Sequence, residues 1–287
     1  MEKQDFITIE PSLCASYPQS GQKLYLEYKQ WGVVQETKPS LLFLHEGLGS
    51  VSLWRDFPEK VAQDTGCCVF AVSRAGYGKS SPARLPRPVS YLEDEALAVL
   101  PAVRKALNLG RVILVGHSDG GSISLIHAAR YSQDGLLCGA LVMAPHVFNE
   151  ALSIQGVRAA REIWEAERQQ VQEEHAPDRS PSWREKLQRH HGDNVDIAFH
   201  GWNDTWLRED FAHWNIEHYL PQITCPVTAI QGAQDEYGTA RQVETVIAQS
   251  QGPGKLLLIP DVGHAPHKDR PDIIIAELRT LLDCGAF

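Results

Sequence analysis

Residues 112–121 read Val-Ile-Leu-Val-Gly-His-Ser-Asp-Gly-Gly. The apolar run 112–115 suits a parallel strand covered on both faces, because such strands carry continuous hydrophobic stretches rather than alternation. Gly116, Ser118 and Gly120 then satisfy G-x-S-x-G, and the sequence from Ser122 to Arg130 has helical character. Strand, tight turn and helix in that order give the motif a mechanism: a sharp turn lifts a serine hydroxyl above the end of a sheet. Gly116 and Gly120 supply the missing side chains that so tight a crossing needs. The rival reading is a chance match in a glycine-rich turn, and the rest of the chain decides between them.

Outward from that stretch, strands and helices alternate. Strand patterns occupy residues 6–9, 23–30, 40–45, 67–73, 136–144, 225–231 and 255–259. The 23–30 stretch alternates Leu24, Leu26 and Tyr28 on one face, as an antiparallel edge strand does. Helical spacing occupies 53–64, 91–108 (despite Pro101, with Gly110 as its stop), 239–249 and 271–284. This order predicts a mainly parallel, doubly wound α/β sheet. Composition changes at Pro145. Residues 146–219 lack buried-strand patterns, carry charged helical runs over 157–174, and hold Trp164, Trp183, Trp202, Trp206 and Trp214. They are expected to form a helical cap inserted into a core made of 1–145 and 220–287.

The 287 residues suffice for one large domain with such an insertion, and 43% hydrophobic residues provide a sizeable core. A formal net charge of −9 argues against nucleic acid or an anionic membrane as partner. The N-terminal residues carry charge and no apolar signal-peptide core, and no apolar run approaches membrane-spanning length. The six cysteines (Cys14, Cys67, Cys68, Cys138, Cys225, Cys284) form no C-x-x-C pair. They read as reduced thiols in a cytoplasmic protein.

A serine hydroxyl attacks only when a base takes its proton and an acid orients that base. Ser118, Asp235 and His264 follow one another in that order, each just after a strand, at the sheet edge where open α/β folds bind ligands. Asp235 has a rival in Glu236 and an alternative role as a helix cap near Gly238. His264 competes with His267, read as a surface histidine, and is preferred because Gly263 suits a tight strand exit. His117 is expected to pack or hydrogen-bond structurally. Two amides should receive the oxyanion: that of Asp119, and one from the loop after residues 40–45, with Gly47 first and Leu48 next. The cap tryptophans either line an apolar pocket over Ser118 or fill cap-to-core contacts. His190-His191 lack acidic or cysteine partners at metal-ligand spacing, and the acidic run 162–174 reads as an exposed helix face.

Together, the stretches His45-Glu46-Gly47-Leu48-Gly49-Ser50, Arg74-Ala75-Gly76-Tyr77-Gly78-Lys79-Ser80, Gly116–Gly121, Gly232-Ala233-Gln234-Asp235 and Gly263-His264 resemble the α/β-hydrolase fold family. Within it, the chain is similar to the capped branch of carboxylesterases and carbon–carbon bond hydrolases. That resemblance implies Ser118 as nucleophile, His264 as base, Asp235 as acid, an oxyanion hole from the Gly47 and Asp119 amides, and no cofactor; on the ligand spacing, no metal is expected either. Two positions depart from the family pattern: Glu46 stands where a glycine usually follows the histidine, and Ser73 where an aspartate often precedes the arginine. A serine at the elbow excludes the aspartate-nucleophile relatives and favours acyl transfer. The expected activity is hydrolysis of small to medium carboxylic esters, with a small-molecule ester as partner and a homodimer as one option. The alternatives are a carbon–carbon hydrolase, with Arg158, Arg161 or Arg184 clamping a substrate carboxylate, and a non-enzymatic ligand receptor.

Overall fold

The computed structural model describes residues 2–173 and 180–284. Strands β1 (Glu2–Ile9), β2 (Leu24–Trp31), β3 (Ser40–Leu44), β4 (Val69–Val72), β5 (Val112–His117), β6 (Leu137–Met143), β7 (Val227–Gly232) and β8 (Gly254–Ile259) form one sheet in the order β1-β2-β4-β3-β5-β6-β7-β8. Within this sheet, as described, the β1–β2 and β2–β4 pairings are antiparallel and the other five are parallel. Alternation along a strand divides β5 between two cores. Val112 and Leu114 face one, Ile113 and Val115 the other. The second core is closed by α1 (Phe57–Thr65) and a C-terminal helix (Pro271–Cys284) through Val61, Ile274 and Leu278. The first is covered by α2 (Tyr91–Asp94), α3 (Leu100–Ala106), α4 (Asp119–Tyr131) and a helix at Arg241–Gln249.

Several boundaries differ from expectation for local reasons. β2 is not an edge strand, because β1 runs longer than the 6–9 pattern suggests and pairs along all of β2. The 91–108 helix is interrupted by a π turn over Glu95–Val99. Pro101 cannot donate to the carbonyl four residues back, and the widened turn just before it absorbs the mismatch. The left-handed residue beyond α3 is Asn108 (φ 50°), not Gly110. The expected 53–64 helix is split into a 3₁₀ turn (Val51–Trp54) and α1, with Arg55 at φ 53° between them.

Between β6 and β7 lie α5 (Ala151–Glu173), α6 (Trp183–His191) and α7 (Val195–Trp206). An antiparallel bridge, Phe148 to Asn215, joins the two ends of this stretch. Glu174, the end of the expected 157–174 and 162–174 runs, lies outside the described residues. Ser182 begins α6 with a capping box to Glu185. Within the insertion, Trp164 stacks on Phe199 (3.9 Å, 5°) with Trp183 at their edges. Five cysteines are described and all are free thiols. No described helix is long and apolar enough to cross a membrane.

Candidate active site

Ser118 caps α4 directly after β5, with φ 51° and ψ −118°. For a non-glycine residue that conformation costs on the order of 1–3 kcal/mol. Its neighbours hold it there. The Ser118 amide donates to Met143 O (2.9 Å), and its carbonyl accepts from the amides of Gly121 (2.8 Å) and Ser122 (3.0 Å). A Cβ on Gly120 would fall on the Leu44 carbonyl, and one on Gly116 would lie 2.6 Å from Ser124 Oγ. Both glycines are therefore steric requirements of the turn.

His264 leaves the loop after β8, and Asp235 leaves the loop after β7. His264 Nδ1 lies 2.9 Å from each Asp235 oxygen. Since a carboxylate only accepts, Nδ1 carries the proton and Nε2 keeps its lone pair. Asp235 Oδ1 also accepts from the amides of Tyr237 (2.8 Å) and Gly238 (3.2 Å), so it builds its own turn. It does not cap a helix, since the next one begins at Arg241. Burial works to raise the Asp235 carboxyl, but the hydrogen bond and charge of His264, with the Tyr237 amide, hold it below its ordinary value. Glu236 is exposed and only receives the His264 amide (3.3 Å). Ser118 and His264 line one cavity without a direct hydrogen bond between them, a looseness common before substrate arrives.

His267 is not the surface residue expected. It is 3% exposed and packs against Trp54 (4.8 Å), Phe57 (5.6 Å) and His117 (4.8 Å), because the turn after His264 folds inward. Burial, then the charge of His117, push it well below an ordinary histidine.

Gly47 and Leu48 join Ser118 in the cavity wall, and Asp119 opens α4, where the first amides of a helix lack intrahelical acceptors. The Asp119 side chain is fully buried and fixed by its surroundings. Oδ2 accepts from Tyr91 Oη (2.9 Å) and Arg74 Nη2 (3.4 Å), and Tyr91 Oη accepts from Trp206 Nε1 (2.9 Å). Arg74 also donates to Glu46 O (3.0 Å), and its backbone amide donates to His45 Nε2 (3.1 Å). That bond puts the His45 proton on Nδ1, which donates to Glu46 O (2.7 Å). Burial, then the charge of Arg74, hold His45 neutral. The loop after β3 and the helix behind Ser118 are thus joined through one buried arginine.

Glu46 adds a second tie. Its Oε2 lies 3.4 Å from His117 Nδ1, and His117 Nε2 donates to the carbonyl of His264 (2.7 Å). Lys268 Nζ stands 4.0 Å from Oε1. Burial works to raise the Glu46 carboxyl, but the His117 hydrogen bond and charge, then Lys268, bring it well below the ordinary range. Ser73, standing where the family often carries an aspartate, meets the carboxylate of Glu27. Its Oε2 accepts from Ser73 Oγ (2.9 Å) and the Lys79 amide (3.0 Å).

The cavity has a volume of about 100 Å³, and its walls include Val157, Trp202 and Trp206 from the insertion together with His146 and Tyr237. Two of the five tryptophans therefore face the cavity, while Trp164, Trp183 and Trp214 pack elsewhere. Arg158, Arg161 and Arg184 do not line it. Arg161 is bonded to Asn203 and Asp204, and Arg184 to Asp196. His190 bonds Ser52 Oγ (2.9 Å). His191 accepts from the Gly78 amide (3.0 Å) and donates to Leu48 O (3.0 Å). Among the described residues no group of three or more His, Cys, Asp or Glu is placed to hold a metal ion. The sequence reading passed over His146 and Tyr237. The only signal for either was position: His146 follows the strand beside β5, and Tyr237 lies two residues after Asp235.

Residues 39–271 match the alpha/beta hydrolase fold family. The chain belongs to that family. A proline iminopeptidase of Lactobacillus helveticus is 31% identical over 101 residues, covering 34% of this chain and 33% of that protein. The chain thus spans about a third of that curated relative's length. Two solved structures share the fold: an esterase from Thermogutta terrifontis (TM-score 0.65, 18% identity, 97% and 98% of the two chains) and an enol-lactonase from Burkholderia xenovorans (0.65, 16%, 91% and 97%). Membership of this family supports a hydrolase, with peptidases, esterases and lactonases among its relatives.

Proposed function

We propose that the protein is a serine hydrolase that cleaves small carboxylic esters through an acyl-enzyme. The observation that carries this reading is the Asp235–His264 pair, 2.9 Å apart, with His264 sharing one cavity with the strained Ser118. Ser118 Oγ attacks the ester carbonyl carbon as His264 Nε2 takes its proton. Asp235 steadies the resulting imidazolium, and the amides of Gly47 and Asp119 receive the oxyanion. Collapse expels the alcohol, which takes its proton from His264. Water, deprotonated by His264, then attacks the acyl group and releases the carboxylic acid and Ser118.

A carbon–carbon hydrolase is less favoured, because no described arginine of the insertion lines the cavity to hold a substrate carboxylate. The amide chemistry named for the iminopeptidase relative uses the same steps with an amine leaving group. A fluorophosphonate probe is expected to label wild type at Ser118 and to leave Ser118→Ala unlabelled. A panel of phenyl esters, a prolyl amide and a ring-cleavage dienoate should show turnover of the esters first, reduced 10³-fold or more in Ser118→Ala and His264→Ala. Absence of labelling at neutral pH would refute the enzyme reading; faster turnover of the dienoate or amide would refute the ester assignment.

A further inference from the structure

His146 follows β6 by three residues and forms part of the wall of the Ser118 cavity. Its backbone is fixed on both sides by one hydroxyl: the amide donates to Ser122 Oγ (3.1 Å), and Ser122 Oγ donates to the His146 carbonyl (2.6 Å). The ring lies 5.0 Å from Trp206 and 6.0 Å from His264, and the residue is 3% exposed. No hydrogen bond to the imidazole is made by the described residues, and Nδ1 is buried without a partner. Burial, then the charge of His264, push its pKa down to about 3, so the ring is neutral at working pH. Leaving a buried polar side chain unpaired is costly. It is the more conspicuous here because Leu48, Val157, Trp202 and Trp206 make the remaining wall largely apolar.

The cavity also limits what can fill it. An apolar cavity of about 150 Å³ holds benzene, so about 100 Å³ suits a group of roughly four carbons. A neutral imidazole among apolar side chains offers nothing to neutralise an ion, and the Glu46 carboxylate in the same wall disfavours an anion further.

We propose that His146 determines specificity: the cavity receives a short, uncharged acyl group bearing one hydrogen-bonding substituent, a hydroxyl being the smallest, which pairs with the His146 imidazole. This deepens the acyl-transfer reading above and rests on it. A site built around a polar substituent discriminates against the analogue lacking it, because the protein group is then left unpaired.

The test is a matched set of phenyl esters: butyrate, 2-hydroxybutyrate, 3-hydroxybutyrate and hemisuccinate. In wild type one hydroxybutyrate should exceed butyrate in kcat/KM by about tenfold or more, and the hemisuccinate should fall below butyrate. In His146→Leu the hydroxy-to-deoxy ratio should collapse to about one, whatever the absolute rates. His146→Gln, which keeps a donor and an acceptor, should retain part of the ratio. A wild-type ratio of one or less for both hydroxy esters overturns the proposal without any variant being made, and so does an unchanged ratio in His146→Leu. Because butyrate turnover and labelling of Ser118 are read in the same experiments, the proposal can fail while the serine-hydrolase reading stands.

Discussion

Gly47→Ala probes the proposed oxyanion loop with a single methyl group. Gly47 does not occupy the left-handed region, so alanine brings no backbone strain of its own. Its Cβ would lie 2.7 Å from Trp202 Nε1 and 2.9 Å from Cγ, where ordinary contact begins at 3.4 Å. The loop or the indole must yield by more than the 0.7 Å that Nε1 alone requires, because Trp202 Cδ1 is nearer still, and this reaches the ~1 Å at which misplacement costs on the order of 10²-fold. Trp202 is wedged between Phe199 (6.2 Å) and Tyr237 (6.4 Å), and the loop is held by Arg74 on Glu46 O, so neither yields freely. An oxyanion donor needs to sit about 2.7–3.1 Å from the developing charge, and losing one costs about 10²–10³ in kcat. Part of the displacement falls on Trp202, so a kcat about 10²-fold lower is expected, equivalent to about 2.7 kcal/mol. The accompanying loss of stability should be only about 1–3 kcal/mol, as for other overpacked sites. The assay is steady-state hydrolysis of a short-chain phenyl ester beside a thermal melt. Trp202→Ala in the Gly47→Ala background removes the clash and should recover most of the lost kcat. A Gly47→Ala enzyme within threefold of wild type, or a double variant no faster than the single, would refute the assignment of Gly47 as donor.

Glu46→Gln keeps the shape of the side chain but removes the charge that faces His117 Nδ1. Because His117 holds the carbonyl of His264, the expected result is a kcat reduced about tenfold with KM within twofold, the size of one close, partly buried charge contact. A fall confined to KM would mean that Glu46 acts on substrate binding instead. Stability should also depend on pH through His127, whose Nδ1 donates to Ala96 O (2.8 Å) while Nε2 accepts from Arg104 (3.0 Å), with Asp134 beside the arginine. Burial pushes its pKa down to about 4. Between about pH 6.5 and 4 the unfolded chain therefore binds a proton that the folded protein refuses. This contribution is present in full above pH 6.5 and is lost as pH falls toward 4, by about 2 kcal/mol at pH 5 and about 3 kcal/mol at pH 4. Urea unfolding at pH 7.5 and pH 5 should show the loss in wild type and a loss smaller by about 2 kcal/mol in His127→Gln; equal losses would contradict the assignment.

Continuous apolar runs made β3, β4, β5 and β7 legible, since a strand buried on both faces announces itself by composition. The elbow was legible for a related reason: Gly116 is crowded by the Gly120 carbonyl four residues on, a local need, and the G-x-S-x-G spacing marks Gly120 although its own crowding comes from the Leu44 carbonyl of β3. The juxtaposition of Asp235 and His264 could be anticipated from their places after consecutive parallel strands. What could not be read depends on neighbours remote in sequence. Glu46 finds His117 71 positions on, and nothing adjacent to Glu46 signals that pairing. His267 looked like a surface residue because its burial is created by Trp54 and Phe57 on the far side of the sequence. Glu27 lies between Leu26 and Tyr28 on a strand whose alternation puts those two on the other face, yet it is buried and accepts from Ser73 and Lys79. Polar residues at these positions answer to tertiary partners, and periodicity carries no information about them.

The same partners bear on whether the insertion opens as a lid. Trp206 of α7 donates to Tyr91, which holds Asp119 beside Ser118. His191 grips Gly78 and Leu48, Asn194 donates to the carbonyls of Gly78 (3.2 Å) and Ser80 (2.7 Å), and Arg208 donates to Arg87 O (2.9 Å). Lifting α6 and α7 as a unit breaks these six bonds, besides the exposed one between His190 and Ser52 Oγ. At about 1 kcal/mol net each, that is about 6 kcal/mol before any apolar surface is exposed. An open state would then be populated less than about once in 10⁴ molecules, and substrate selection falls to a cavity that is already formed. Hydrogen exchange decides the matter: amides in the middle of α7 should exchange by rare openings, several thousandfold or more slower than unprotected amides. Exchange of α7 within tenfold of the unprotected rate, while β5 stays protected, would show that the insertion moves independently and that these six bonds do not bind it to the sheet.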